Sequence, residues 1–259
     1  HLVQGDYAAC LGSHKLECFL RWLLEAPVYI HYSNFSVLNW SIVDLVDSLI
    51  VHERFRHLIV KHDELKNELH ALVRSDPLGY FRLLKTYDYP NIAIKQASDF
   101  VLAVRAFLFR NGYLFRNFAT MTLCDLLQEA ARDTTLDFLV DHEPDVLLKS
   151  FDTVFLHRLA TFTSAEHVFD EEPQIRERLG RRQIHCEGKA ISYRFANSLD
   201  EPAIQLSDVL CGILGKHFSC MEKLSIEELE AWHSKLSDQQ GGNAALLAQL
   251  IDKAAGECQ

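Results

Sequence analysis

The 259-residue chain has no Cys-x-x-Cys pair, no glycine-rich phosphate loop, no Gly-x-Ser-x-Gly elbow and no His-Glu-x-x-His. These absences argue against a zinc ribbon, a P-loop nucleotide hydrolase, a serine hydrolase of the elbow type and a zincin protease. Its seven cysteines, at 10, 18, 124, 186, 211, 220 and 258, are odd in number and widely spaced, so they read as reduced thiols and not as a disulfide framework. No run approaches the roughly eighteen apolar residues of a membrane span, because Arg105 and Arg110 interrupt even Phe100 to Phe115. Excess positive charge is lacking too: 26 Lys and Arg against 36 Asp and Glu give a net charge of -10, which argues against a globally basic nucleic-acid surface. Repeats and low-complexity stretches are also missing. The expectation is a soluble, cytoplasmic protein.

What is present is a core. With 48% hydrophobic and 24% charged residues, a chain of this size should hide roughly three quarters of its unfolded surface, so any metal would serve chemistry and not folding. Ser13 to Glu25 repeats Leu16, Phe19, Leu20, Leu23 and Leu24 on one face behind a capping serine, an amphipathic helix ended by Pro27. Val28 to Val37, rich in β-branched and aromatic residues, reads as a strand with His31 at its middle. From Asn39 to about Asp133 the apolar spacing is helical, with breaks at Asp76-Pro77, Tyr89-Pro90 and Asn111-Gly112. Helical pattern resumes over Asp145 to Phe162. Ala165 to Phe169 and Ile191 to Phe195 read as strands, Pro173 to Arg182 as a short charged helix and Ala203 to Phe218 as an apolar one. Two further helices are expected at the end, one behind the capping box of Ser225 and Glu228, the other from about Asn243 to Ala255 after the Gly241-Gly242 break. His1 stands where a methionine would begin a gene product, so the biological chain is expected to start upstream.

Chemistry concentrates in two places. In Ile204 to Phe218 apolar residues cover most of the helix circumference, as in a buried helix, and leave one polar stripe of Gln205, Asp208 and Gly212. A carboxylate there needs a cation or donors: Asp208 either pairs with a loop or an arginine, or ligates a metal. Asp170, leaving the end of a strand, is its natural partner, since two such oxygens suit Mg²⁺ or Mn²⁺. Asp170-Glu171-Glu172 also fits an acidic first helical turn, with Glu172 paired to Arg176.

Three segments in order, VYIHYSNFSVLNWSIVDLVDSL, EHVFDEEPQI and YRFANSLDEPAIQLSDVLCGILGKHF, resemble the family called domain of unknown function 3800, which looks like an RNase H-like nuclease. The resemblance spans most of the chain. The family's Gln-x-x-Asp on a late helix is matched by Gln205-Leu206-Ser207-Asp208, whereas its Asp-Glu pair on a first strand has no match here. The resemblance implies an α/β fold, an RNase H-like mixed sheet with flanking helices. Residues 1–38 and 163–259 would form the core with the C-terminal helices, and 39–162 a large helical insertion or cap. It further implies metal-dependent hydrolysis of phosphodiester bonds in DNA or RNA, with Asp170 and Asp208 as Mg²⁺ or Mn²⁺ ligands. Gln205 would orient a water or phosphate oxygen, and Glu171 would act as a base. His31 would either shuttle protons or serve as hydrogen-bonded structure.

Two basic clusters, Arg176 with Arg178, Arg181 and Arg182, and Arg105 with Arg110 and Arg116, are either phosphate contacts or a salt-bridged face and a core stripe. His185-Cys186 reads as an incidental pair in a polar loop. The rival reading is a catalytically inactive RNase H-like module that mediates protein-protein interaction through the helical insertion and the C-terminal helices, favoured by the missing Asp-Glu and the negative charge.

Overall fold

The structure, a computed structural model, describes residues 4–51, 53–110, 118–132, 136–140, 143–148, 150–180, 183–186 and 188–257. The chain divides into two compact units, one of residues 148–214 and a larger one of residues 4–147 and 215–259.

The larger unit is helical. It contains α1 (Tyr7–Leu11), α2 (His14–Glu25), α3 (Val37–Val51), α4 (His62–Ser75), α5 (Pro77–Thr86), α6 (Ala97–Arg110), α7 (Phe118–Ala130), α11 (Ile226–His233) and α12 (Asp238–Glu257). Local chemistry starts several of these. Ser13 caps α2 by accepting from the Leu16 N–H at 3.3 Å, and Asp76 caps α5 by accepting from Gly79, with Pro77 in the first turn, where its missing N–H costs nothing. Ser225 and Glu228 exchange reciprocal bonds in the expected capping box.

One core joins α3, α4, α5, α6 and α7 through Leu45, Leu69, Tyr80, Phe100, Phe107 and Leu123, which are buried together. A second packing joins α2 to α12, where Leu16, Leu20 and Leu23 are fully buried and Leu247 and Leu250 nearly so. Each such leucine contributes about 2 kcal/mol of transfer free energy. Polar groups finish this packing: Asn243 of α12 donates to the carbonyls of Leu11 at 2.8 Å and Ser13 at 3.0 Å, and Gln240 donates to that of Ala8 at 2.9 Å. These bonds explain why α12 begins at Asp238 and runs through Gly241-Gly242, where the sequence pattern suggested a break.

The smaller unit is a parallel strand-helix-strand arrangement. Its elements are α8 (Asp152–Thr161), β1 (His167–Asp170), α9 (Pro173–Gly180), β2 (His185–Cys186), β3 (Lys189–Ala190) and β4 (Tyr193–Ala196). β1 and β4 pair in parallel with His167 opposite Tyr193 and Asp170 opposite Ala196, and β2 and β3 pair antiparallel. Parallel neighbours need a crossover, which α9 and the small hairpin supply. Tyr193 ties them together by donating its hydroxyl hydrogen to the Leu179 carbonyl at 2.8 Å. Helix α10 (Pro202–Lys223) contributes its residues up to Leu214 to this unit and the rest to the larger one.

The expected RNase H-like mixed sheet is therefore corrected. Among the described residues, strand occurs only in two two-stranded pieces, and helices make up most of the chain. A mixed sheet needs several strands to satisfy one another's backbone groups, and the expected strand over Val28 to Val37 does not form. Residues 28–36 form neither helix nor strand, and α3 begins at Val37. The aromatic side chains that suggested a strand pack instead on helices: Tyr32 lies 5.6 Å from Phe218, and Lys253 lies over the Tyr29 ring. Ser36 ends the segment by accepting from the Asn39 N–H at 2.9 Å, which starts α3. No helix among the described residues is long and apolar enough to cross a membrane.

Candidate functional site

The carboxyl ends of β1 and β4 lie side by side. Register places Asp170, the last residue of β1, opposite Ala196, the last residue of β4, and the loop of Asn197, Ser198 and Leu199 continues from there. Gln205, in the first turn of α10, reaches back to that loop and donates to the Ser198 carbonyl at 2.7 Å. Three residues on, Asp208 follows on the same helix face. The parallel pairing and one side-chain bond thus gather Asp170, Gln205 and the loop after β4 at one edge.

That edge is open. Asp170, Gln205 and Asp208 are all exposed, which corrects the expectation of a buried helix: α10 buries Ile204, Leu210, Ile213 and Leu214 and turns its polar stripe to solvent. Asp170 Oδ1 accepts from the Glu171 N–H at 2.9 Å, and neither Asp170 nor Asp208 has a Lys or Arg partner among the described residues. Glu171 differs, because its carboxylate holds Arg176 at 2.9 Å. The pairing expected for Glu172 is thus made by Glu171, and a base there would have to release its arginine. Desolvation and then the Asp208 charge push up the thiol of Cys211, one turn beyond Asp208, which disfavours a reactive thiolate there.

His31 belongs to the larger unit, exposed in the segment before α3, whereas the edge is built from the smaller unit alone. The arginines of the first basic cluster are engaged: Arg176 with Glu171, and Arg178 with Asp152 at 3.2 Å. Arg194 is likewise held by Glu201 at 2.7 Å and Glu166 at 3.6 Å. In the second cluster Arg105 donates to the Cys124 carbonyl and lies over the Phe109 ring, while Phe107 and Leu108 are core. Arg116, Arg181 and Arg182 lie outside the described residues. His185 and Cys186 form β2, with His185 Nδ1 3.3 Å from the Gln183 carbonyl oxygen.

The donor set fits a hard cation in kind. It offers two carboxylates and an amide oxygen, without sulfur or imidazole, which suits Mg²⁺ or Mn²⁺ and disfavours zinc. Among the described residues no three His, Cys, Asp or Glu side chains converge into a ready-made cage. Mg²⁺ commonly takes one or two carboxylates, several waters and the phosphate oxygens of its substrate, so a two-carboxylate edge fits an ion that arrives with substrate.

Two polar groups that sequence reasoning passed over, Arg74 and Glu222, line one cavity with Ser36 in the larger unit. Nothing local marks them, because Ser36 and Glu222 are 186 positions apart. Compared with profiles of known protein families, with curated proteins and with solved structures, the chain matches none of them.

Proposed function

We propose that the edge formed by Asp170, the 197–199 loop, Gln205 and Asp208 binds a divalent cation and supports hydrolysis of phosphodiester bonds in nucleic acid. The observation that carries this reading is the placement of two exposed carboxylates, free of Lys and Arg partners among the described residues, one at the carboxyl end of β1 and one on α10, the helix that follows β4. Ligands of parallel strand-helix-strand units bind where the strands' carboxyl ends open into loops.

In this reading Asp170 and Asp208 ligate the cation, which when bound neutralises phosphate charge and acidifies a water. Gln205 is a positioning residue. Its amide nitrogen is committed to the Ser198 carbonyl, so the carbonyl oxygen is the end left to accept from a water. Arg176 and Arg194 are held by carboxylates, and phosphate charge therefore falls to the cation.

The test is cleavage of single- and double-stranded DNA and RNA with Mg²⁺ or Mn²⁺. Both Asp170→Asn and Asp208→Asn should lower the rate on the order of a hundredfold, as losses of single charge-stabilising groups commonly do. Cleavage that survives unchanged in Asp208→Asn, or that never rises above the buffer blank, overturns the proposal and leaves the protein-binding module as the reading to pursue.

A further inference from the structure

The larger unit contains a cavity of about 480 Å³ between the segment before α3, helix α4 and the C-terminal part of α10. This lies within the roughly 300–1,000 Å³ typical of small-ligand sites. Its titratable lining is His70, Arg74 and Glu222, its uncharged polar lining is Asn34, Ser36, Asn39 and Ser219, and its aromatic lining is Phe35 and Phe218.

The charges balance. Arg74 Nη1 donates to the Met221 carbonyl at 2.6 Å and the Glu222 carbonyl at 3.1 Å, which fixes its guanidinium on the backbone there, from where its charge acts on the Glu222 carboxyl. Burial and then the Arg74 charge hold the His70 imidazole below its usual range, which favours its neutral form. A cavity with one fixed cation, one carboxylate and a neutral imidazole does not select an inorganic anion, a metal or a free amine. It suits an uncharged, flat ligand that both donates and accepts hydrogen bonds.

The ring walls and the carboxylate narrow the choice. Phe218 lines the cavity, its ring 5.6 Å from that of Tyr32 and 5.1 Å from that of His217, and aromatic rings lining a site commonly stack heterocycles. Glu222 takes the Ser36 hydroxyl on Oε1, while Oε2 takes no protein hydrogen bond among the described residues. A carboxylate accepts only, so its complement is an edge with two adjacent N–H donors. Among nucleobases that edge belongs to guanine.

We infer that this cavity binds a guanine base, with Glu222 accepting from its adjacent N–H donors and Phe218 stacking on its ring. The inference does not rest on the cation site of the smaller unit. A free nucleoside and an unpaired guanine in a polynucleotide offer the same chemistry, and the experiment separates them.

The test is calorimetric titration of the full chain with guanosine, adenosine, cytidine and uridine, and with single-stranded oligonucleotides containing or lacking one guanine. Guanosine should bind about tenfold or more tightly than the others, the discrimination expected of a paired base contact. Glu222→Gln should lose that preference, and Asp208→Asn should keep it. Phe218→Leu, which retains an apolar wall, should weaken all ring binding. Binding only of the guanine oligonucleotide, still lost in Glu222→Gln, identifies the polymer as the source. Equal binding of the four nucleosides overturns the inference. So does an unchanged Glu222→Gln, or no binding of any probe at about 1 mM, the weak limit of specific recognition.

Discussion

Replacing Lys253 by methionine should destabilise the larger unit by about 2 kcal/mol. Lys253 of α12 donates to three carbonyls at the end of α2, those of Leu23 at 3.1 Å, Leu24 at 3.1 Å and Ala26 at 2.7 Å, and lies 5.1 Å from the centre of the Tyr29 ring. These are the carbonyls a helix cannot satisfy internally, and a cation there also meets the negative end of the helix dipole. A charge-assisted bond contributes about 1.5–3 kcal/mol, but the site is only half-buried and water replaces part of what is lost, so three bonds reduce to about 2 kcal/mol. Methionine keeps the apolar stem and removes the charge. All three tryptophans, Trp22, Trp40 and Trp232, fall in the larger unit, so fluorescence during urea or thermal unfolding reports on it selectively. The midpoint should fall by about 4–8 °C, against less than 1 °C for Lys15→Met on the exposed face of α2. Equal midpoints for the two variants would refute the capping argument.

Three further outcomes follow from the same structure. Phe107→Ala, which empties a fully buried site 5.4 Å from the Tyr80 ring, should cost about 3–5 kcal/mol in denaturant unfolding. Glu17 is held down to about 2 by bonds from Gln239, then Arg21 and His14, so its stabilising effect is present above the ordinary carboxylate range and lost as pH falls towards 2; Glu17→Gln should flatten that acid limb. Glu222 has the opposite sign. Burial, opposed in part by Arg74 and Lys223, pushes its carboxyl up, so its favourable effect is present below the ordinary carboxylate value and is lost as pH rises through the raised one. Glu222→Gln should therefore hold stability nearly constant across that window, with a gain at neutral pH measured by the same unfolding assay.

Local signals were legible in the sequence. The Ser13 and Ser225 caps start the helices they announced, and the segments around residues 167 and 193 are strands as their β-branched and aromatic content suggested. Non-local pairing was not legible. Val28 to Val37 has strand composition, yet whether it joins a sheet depends on neighbours that the segment does not encode, and its rings found helices instead. Gly241 and Gly242 cost a helix about 1 kcal/mol each relative to alanine, but the tertiary bonds of Gln240 and Asn243 carry α12 through them. The polar stripe of Gln205 and Asp208 was identified on one face correctly, while its exposure was not, because apolar spacing overstates burial at a helix whose end is open to solvent.

The most direct measurement is Mn²⁺ paramagnetic broadening in NMR spectra, recorded with a non-hydrolysable phosphodiester present. If Asp170 and Asp208 share one cation, broadening will centre on Glu171, the residues from Ala196 to Leu199 and those from Gln205 to Asp208. It will vanish in either Asp→Asn variant. Broadening that centres elsewhere, or that persists in both variants, would contradict a cation site at the ends of β1 and β4.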